Sequence, residues 1–123
     1  MKFEADREVK KKVDWLINKL DFVHVDKKRV FAFRSYGSKS RARARIWSFP
    51  KIWQMALCVG PSYVIEVVSE NFDNLSDKDK IRVLIHELLH IPKTFSGALL
   101  GHKTRYTRLT MREVNKYYKR IKE

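Results

Sequence analysis

Five consecutive residues, His86-Glu87-Leu88-Leu89-His90, set two imidazoles and a carboxylate at a spacing that a helix converts into a metal site. Positions i and i+4 of a helix share a face, so both rings can grip one divalent cation. Glu87 lies about 100° round from His86, near enough for its carboxylate to reach a water beside that cation. Zn²⁺ held by three protein ligands, with one position open, brings the pKa of such a water to about 7, where a neighbouring carboxylate can take its proton. With 4 His in 123 residues the pattern arises by chance in roughly 0.7 % of such chains, so metal-assisted hydrolysis is the first reading.

A third ligand is needed. His102, beyond a loop containing Gly97 and Gly101, ranks first because glycines let that loop turn back closely over the site. Glu113 is the rival, although Thr110-x-x-Glu113 also reads as a capping box opening a last helix. Arg105 and Tyr106, just past His102, are candidate donors to substrate or to a developing oxyanion. His24, far upstream, reads as a solvent-facing or half-buried side chain rather than a ligand.

These side chains need a frame. Ser76 followed by Asp77, Lys78 and Asp79 reads as a helix N-cap with acids in the first turn, and Pro92 as the stop. Ile81, Leu84, Ile85, Leu88 and Leu89 recur at helical spacing between them. From Val83 to Ile91 only His86, Glu87 and His90 are polar, so a buried helix carrying three side chains in need of partners is expected. Upstream, Val9, Val13, Leu16, Ile17 and Leu20 predict an amphipathic helix over roughly residues 4–20. Residues 22–25 and 30–34 read as a short hairpin around a polar turn.

From Arg41 to Trp47 the chain alternates with period two, which places Arg41, Arg43 and Arg45 on one face of a strand. They could contact phosphates, or form an exposed charged face that discourages edge-to-edge pairing. Pro50 opens a short helix with Ile52, Trp53, Ala56 and Leu57 on its inner side. Residues 63–68 are the clearest strand, apolar except for Glu66, which either orients a metal-bound histidine or points to the sheet margin. Met111, Val114, Tyr117, Tyr118 and Ile121 give a final helix its stripe, and Trp47, Trp53, Tyr117 and Tyr118 are expected in the core. The order helix, strands, helix, strand, metal helix, final helix predicts an α+β single domain over residues 1–123, with a small mixed or antiparallel sheet backed by helices.

At 123 residues the chain can bury about two thirds of its unfolded surface without staples. The single cysteine, Cys58, rules out an internal disulfide, suits a reducing compartment and reads as core. No apolar run approaches about 18 residues and the N-terminus is too charged for a signal peptide, so a cytoplasmic protein without a membrane span is expected. Net charge is +13, and residues 27–65 hold nine basic side chains and no acid, whereas 66–90 are acidic. That balance favours DNA or RNA as a partner beside a protein or peptide substrate. A basic nucleic-acid-associated module with a structural zinc is therefore the second function class.

The segments Tyr63-Val-Ile-Glu-Val-Val-Ser, Asn71-Phe-Asp-Asn-Leu-Ser, Val83-Leu-Ile-His-Glu-Leu-Leu-His-Ile-Pro, Phe95-Ser-Gly and Gly101-His102 resemble a family of small intracellular proteins, the phage-type metallopeptidases. These are also found in archaea and are similar to the SprT-like zinc peptidases. The resemblance runs from about Ala44 onward and is specific between Tyr63 and His102. It implies a minimal zincin fold, a zinc site of His86, His90 and His102, and Glu87 as general base. It also allows a peptidase acting on DNA-bound proteins, as among SprT-like relatives. Lys93 stands where metzincins have a glycine, and Arg112 precedes Glu113 where thermolysin-type enzymes have an asparagine, so neither larger group matches.

Overall fold

A computed structural model describes residues 1–101 and 111–122. Its elements run β1 (Lys2–Ala5), α1 (Arg7–Lys19), a single 3₁₀ turn (Lys27–Arg29), β2 (Val30–Tyr36), β3 (Ala44–Ser48), α2 (Lys51–Leu57), β4 (Tyr63–Val68), α3 (Ser69–Phe72), α4 (Asp77–Leu88) and α5 (Met111–Lys122). The four strands form one mixed sheet in the order β1-β2-β4-β3, with β2 and β4 parallel and the outer pairings antiparallel. The expected α+β class holds: four strands and five helices among the described residues. None of those helices is long and apolar enough to cross a membrane.

The first helix starts later than its apolar stripe predicts. Asp6 keeps an extended backbone and its side chain accepts from Val9 N at 2.9 Å, which caps α1 at Arg7. Lys2–Ala5 is instead an edge strand, with Phe3 opposite Ser35 and Ala5 opposite Phe33. Nor is there a hairpin at residues 22–25. Asp21 takes a left-handed φ of 54°, and Val25 N bonds back to Phe22 O, so this segment is a turn that buries Phe22 and Val25. The neighbours of β2 are β1 and β4.

Register separates the two faces of the sheet. Ala32, Ile65 and Ile46 lie across from one another on the face that packs with Val13, Leu16 and Ile17 of α1, Leu84, Ile85 and Leu88 of α4, and Val114 of α5. Phe33, Glu66 and Arg45 align on the opposite face, where Phe3, Phe31 and Trp47 are exposed. Glu66 is 1 % exposed there and is fully engaged. Arg45 donates from Nε (3.0 Å) and Nη2 (3.2 Å) and Trp47 from Nε1 (2.8 Å), so this carboxylate serves Arg45 rather than a histidine.

The short helix α2 is inverted relative to its apolar pattern. Gln54 is its one buried residue, while Ile52, Trp53 and Leu57 face solvent and Cys58 caps the end with a left-handed φ of 55°. Gln54 Nε2 donates to Phe49 O and Ser96 O, and this polar anchor decides which side turns inward. Trp47 and Trp53 are likewise exposed rather than core, and Tyr117 and Tyr118 are half-buried.

Burial opposes charge on Glu66, but hydrogen bonds from Arg45 and Trp47 outweigh it and hold the carboxyl below its usual 4.5. A depressed folded-state value contributes stability above the unfolded value, and that stability is lost as pH falls through the folded one. Arg45→Ala should therefore destabilise the fold by about 2–3 kcal/mol at pH 7, below the cost of breaking a fully buried pair because Arg45 is partly exposed. Urea melts at pH 7 and pH 3 should show the gap between variant and wild type closing in acid.

Candidate metal centre

Ser76 Oγ accepts from Asp79 N at 3.2 Å and starts α4, with Asp77 and Asp79 in the first turn. Leu84, Ile85 and Leu88 then pin the helix to the sheet. The regular helix ends at Leu88, before the expected stop at Pro92. Its last turn tightens: His90 N bonds to Glu87 O and Ile91 N to Leu88 O, both at 3.1 Å. His90 thus sits just past the helix proper. The i, i+4 spacing still brings its ring to a centroid distance of 5.0 Å from His86, at an interplanar angle of 81°.

His90 is buried and held at two points by the returning chain. Leu100 N donates to His90 O at 2.8 Å, and Leu100 O meets His90 Nδ1. A carbonyl can only accept, so Nδ1 carries the proton and Nε2 is the nitrogen with the lone pair, the tautomer a metal ligand needs. The loop supplying Leu100 is itself strapped down. Tyr63 Oη donates to Ala98 O (2.8 Å) and accepts from Gly97 N (2.9 Å), and Phe95 packs edge-on against the Tyr63 ring. Gln54 holds Ser96 from the other side. Gly97 has φ +93°, and a Cβ there would lie 2.2 Å from Gln54 Nε2 and 2.9 Å from Phe49 O.

Glu87 is 7 % exposed, and burial pushes its carboxyl up to about 8. It shares the wall of a cavity of about 530 Å³ with His86. From α4 the cavity also takes Asp79, Arg82 and Val83; from the segment before β3, Arg41 and Arg43, with Ala44 at its start; from α5, Met111. Arg82 Nη1 is tied to Asp79 at 3.1 Å. The donor chemistry suits a divalent cation: two imidazoles one turn apart, one with its tautomer set, beside a carboxyl whose ionised form an adjacent cation would favour.

The structure brings the rings of His86 and His90 together, and sets Glu87 beside His86 in one cavity wall. His102, Arg105 and Tyr106 lie outside the described residues, as does Thr110 of the expected capping box. Glu113 stands half-buried in the first turn of α5. Among the described residues no three His, Cys, Asp or Glu side chains come together as a metal-binding group. His24 is half-buried beside Phe22, its pKa lowered by burial and by Lys93. The strand begins at Ala44, so of the three arginines expected on one strand face only Arg45 lies in it, bound to Glu66, while Arg41 and Arg43 precede it. Sequence reasoning missed Asp79 and Arg82, although they lie seven and four residues before His86, on the same helix face. It also missed the strap of Gln54 and Tyr63, whose bonds to Ser96, Gly97 and Ala98 reach backbone atoms more than 30 residues away.

A family model described as "Putative phage metallopeptidase" matches residues 1–122. No curated protein and no solved structure matches the chain.

Because of its φ and the contacts a Cβ would meet, Gly97→Ala should cost about 2–4 kcal/mol of folding stability. Chemical denaturation measures this directly. A loss under about 0.5 kcal/mol would mean the strap is looser than drawn.

Proposed function

The chain belongs to the phage metallopeptidase family, and on that footing we propose that it is a zinc-dependent endopeptidase on a minimal zincin frame. His86, His90 and His102 hold the metal, and Glu87 is the general base. The carrying observation is the His86–His90 pair, with His90's proton directed to Leu100 O, beside a buried carboxyl in an open cavity. Zinc bound there supplies Lewis acidity, bringing the pKa of an adjacent water to about 7 and polarising a peptide carbonyl. Glu87 would take a proton from the water as its oxygen adds to the peptide carbonyl carbon, and would pass it to the amine nitrogen as the C–N bond breaks. The outer edge of β3, unpaired by any strand among the described residues, can align an extended peptide by main-chain hydrogen bonds. Arg105 and Tyr106 are the proposed donors to the oxyanion. The alternative, a nucleic-acid-associated module or a peptidase acting on DNA-bound proteins, rests on the net charge of +13 and on the basic stretch from Lys27 to Lys51.

Glu87→Gln should retain stoichiometric zinc by elemental analysis while cleavage of an unfolded protein falls about 10³-fold; His86→Ala should lose both. Wild-type protein carrying full zinc yet cleaving no unfolded substrate would sink the assignment.

The same carboxyl makes an independent expectation for metal-free protein. Its folded-state value of about 8 lies above the usual 4.5, so the neutral form's stability is intact below pH 4.5 and is lost as pH rises towards and through 8. In chelator at pH 8, Glu87→Gln should be more stable than wild type by roughly 2–4 kcal/mol, at about 1.4 kcal/mol per pKa unit. At pH 4 the difference should vanish; thermal melts at the two pH values decide.

A further inference from the structure

Most of the arginines around the sheet and α4 have a carboxylate of their own. Arg34 bonds Asp6 and Asp73, Arg45 bonds Glu66, and Arg82 bonds Asp79. Arg41 and Arg43 do not: both are exposed, both line the cavity beside His86 and Glu87, and neither forms an ion pair among the described residues. Their backbone is nevertheless held firmly. Asn71 Nδ2 donates to Ser40 O and to Ala42 O, each at 2.8 Å, clamping the chain on either side of Arg41. Arg43 O accepts from Val68 N at 3.0 Å, which ties it to the end of β4. Two solvated cations are thus placed on a fixed segment at the mouth of the cavity, leading into the edge strand β3.

From this we infer that Arg41 and Arg43 form a subsite for acidic side chains of the substrate, so that the site prefers peptides with Asp or Glu close to the bond that is cut. The inference rests on the peptidase reading and names its substrate class. An extended peptide turns alternate side chains to one face. Arg41 and Arg43, also two apart, would therefore meet two acids in an acid-x-acid arrangement. Guanidinium matches carboxylate with paired N–H donors. The concave wall, with apolar Ala44, Val83 and Met111, suits a peptide better than a nucleic-acid backbone, and the removal of Arg45 to Glu66 breaks the longer ladder that phosphates would need.

The test uses quenched fluorescent peptides identical but for Glu-x-Glu, Gln-x-Gln or Lys-x-Lys, each made as free acid and as C-terminal amide. Zinc-loaded wild type should cleave Glu-x-Glu with kcat/KM about 5- to 10-fold above Gln-x-Gln, mostly through KM. Arg41→Ala/Arg43→Ala should erase that preference, and Arg41→Glu/Arg43→Glu should turn it towards Lys-x-Lys. In parallel, Glu87→Gln, which should not turn substrate over, is titrated with the same peptides by fluorescence anisotropy. Should wild type cleave nothing while Glu87→Gln still binds Glu-x-Glu more tightly, with the preference lost in the arginine variants, the peptidase reading fails and the subsite stands. Equal binding of the three peptides, or a preference that survives loss of both arginines, overturns the subsite. A preference carried entirely by the free acid over the amide overturns the side-chain assignment in favour of a chain-end carboxylate. Displacement of Glu-x-Glu by a tighter-binding oligonucleotide also overturns it, making the arginines phosphate contacts.

Discussion

A neutral imidazole carries a proton on one nitrogen and a lone pair on the other, and for His90 the carbonyl of Leu100 decides which is which. That single constraint dictates much of the surrounding architecture. The carbonyl belongs to a loop that must leave the end of α4, pass Pro92 and come back within bonding distance of the helix it left. A loop returning so closely cannot rely on apolar packing alone, because its backbone groups would be buried without partners. Tyr63 and Gln54 satisfy three of its backbone atoms, and Gly97 supplies the left-handed bend and the clearance they require. Tyr63 starts the strand β4, which pairs with both β2 and β3. The geometry of one ring nitrogen is thereby referred back to the middle of the sheet.

Two buried carboxyls on opposite sides of that sheet show how differently the same group can be treated. Glu66 receives three hydrogen bonds, two of them from a guanidinium, so it stays ionised despite being 1 % exposed. Glu87 faces burial as the dominant influence and is pushed the other way. Glu66 knits β3 to β4 and favours the fold when ionised; Glu87 opposes the fold when ionised. A side chain that works against its own fold at neutral pH is typical of a site arranged for chemistry rather than for stability. A cation beside Glu87 would relieve that opposition by giving the charge a counterpart.

Legibility followed the range of the interactions involved. The motif and its helix were readable because Ser76, the first-turn acids and the apolar repeat are local signals acting within one or two turns. The α+β class and the strand at Tyr63–Val68 were readable for the same reason. The first strand was not. Lys2–Ala5 is extended because β2 offers it a ladder, and no residue in it announces that partner. The hairpin failed because the aromatic and β-branched run from Phe22 to Val25 has strand-like composition, while Val25 N bonds back to Phe22 O in a turn. In α2, one glutamine bonded to Phe49 O and to the distant Ser96 O outweighed four apolar neighbours, an orientation that periodicity cannot see. The even reading of Glu66 was settled by register, since its opposite number in β3 is an arginine.

Charge shows the same dependence on placement. Taken as a sum, +13 points to a polyanion. Taken residue by residue, the arginines have different local partners: Arg34 bridges the capping Asp6 to Asp73, Arg45 covers Glu66 and stacks over Trp47, and Arg82 is held to Asp79. Such pairs act over a few ångströms and contribute little at the range of a Debye length, about 8 Å in physiological salt. What an incoming chain meets at the cavity is the local remainder, Arg41 and Arg43 on a clamped backbone beside an edge strand. A short acidic peptide can satisfy both at once, with its main chain paired along β3. A long uniform polyanion would leave the edge's N–H and C=O groups unmet.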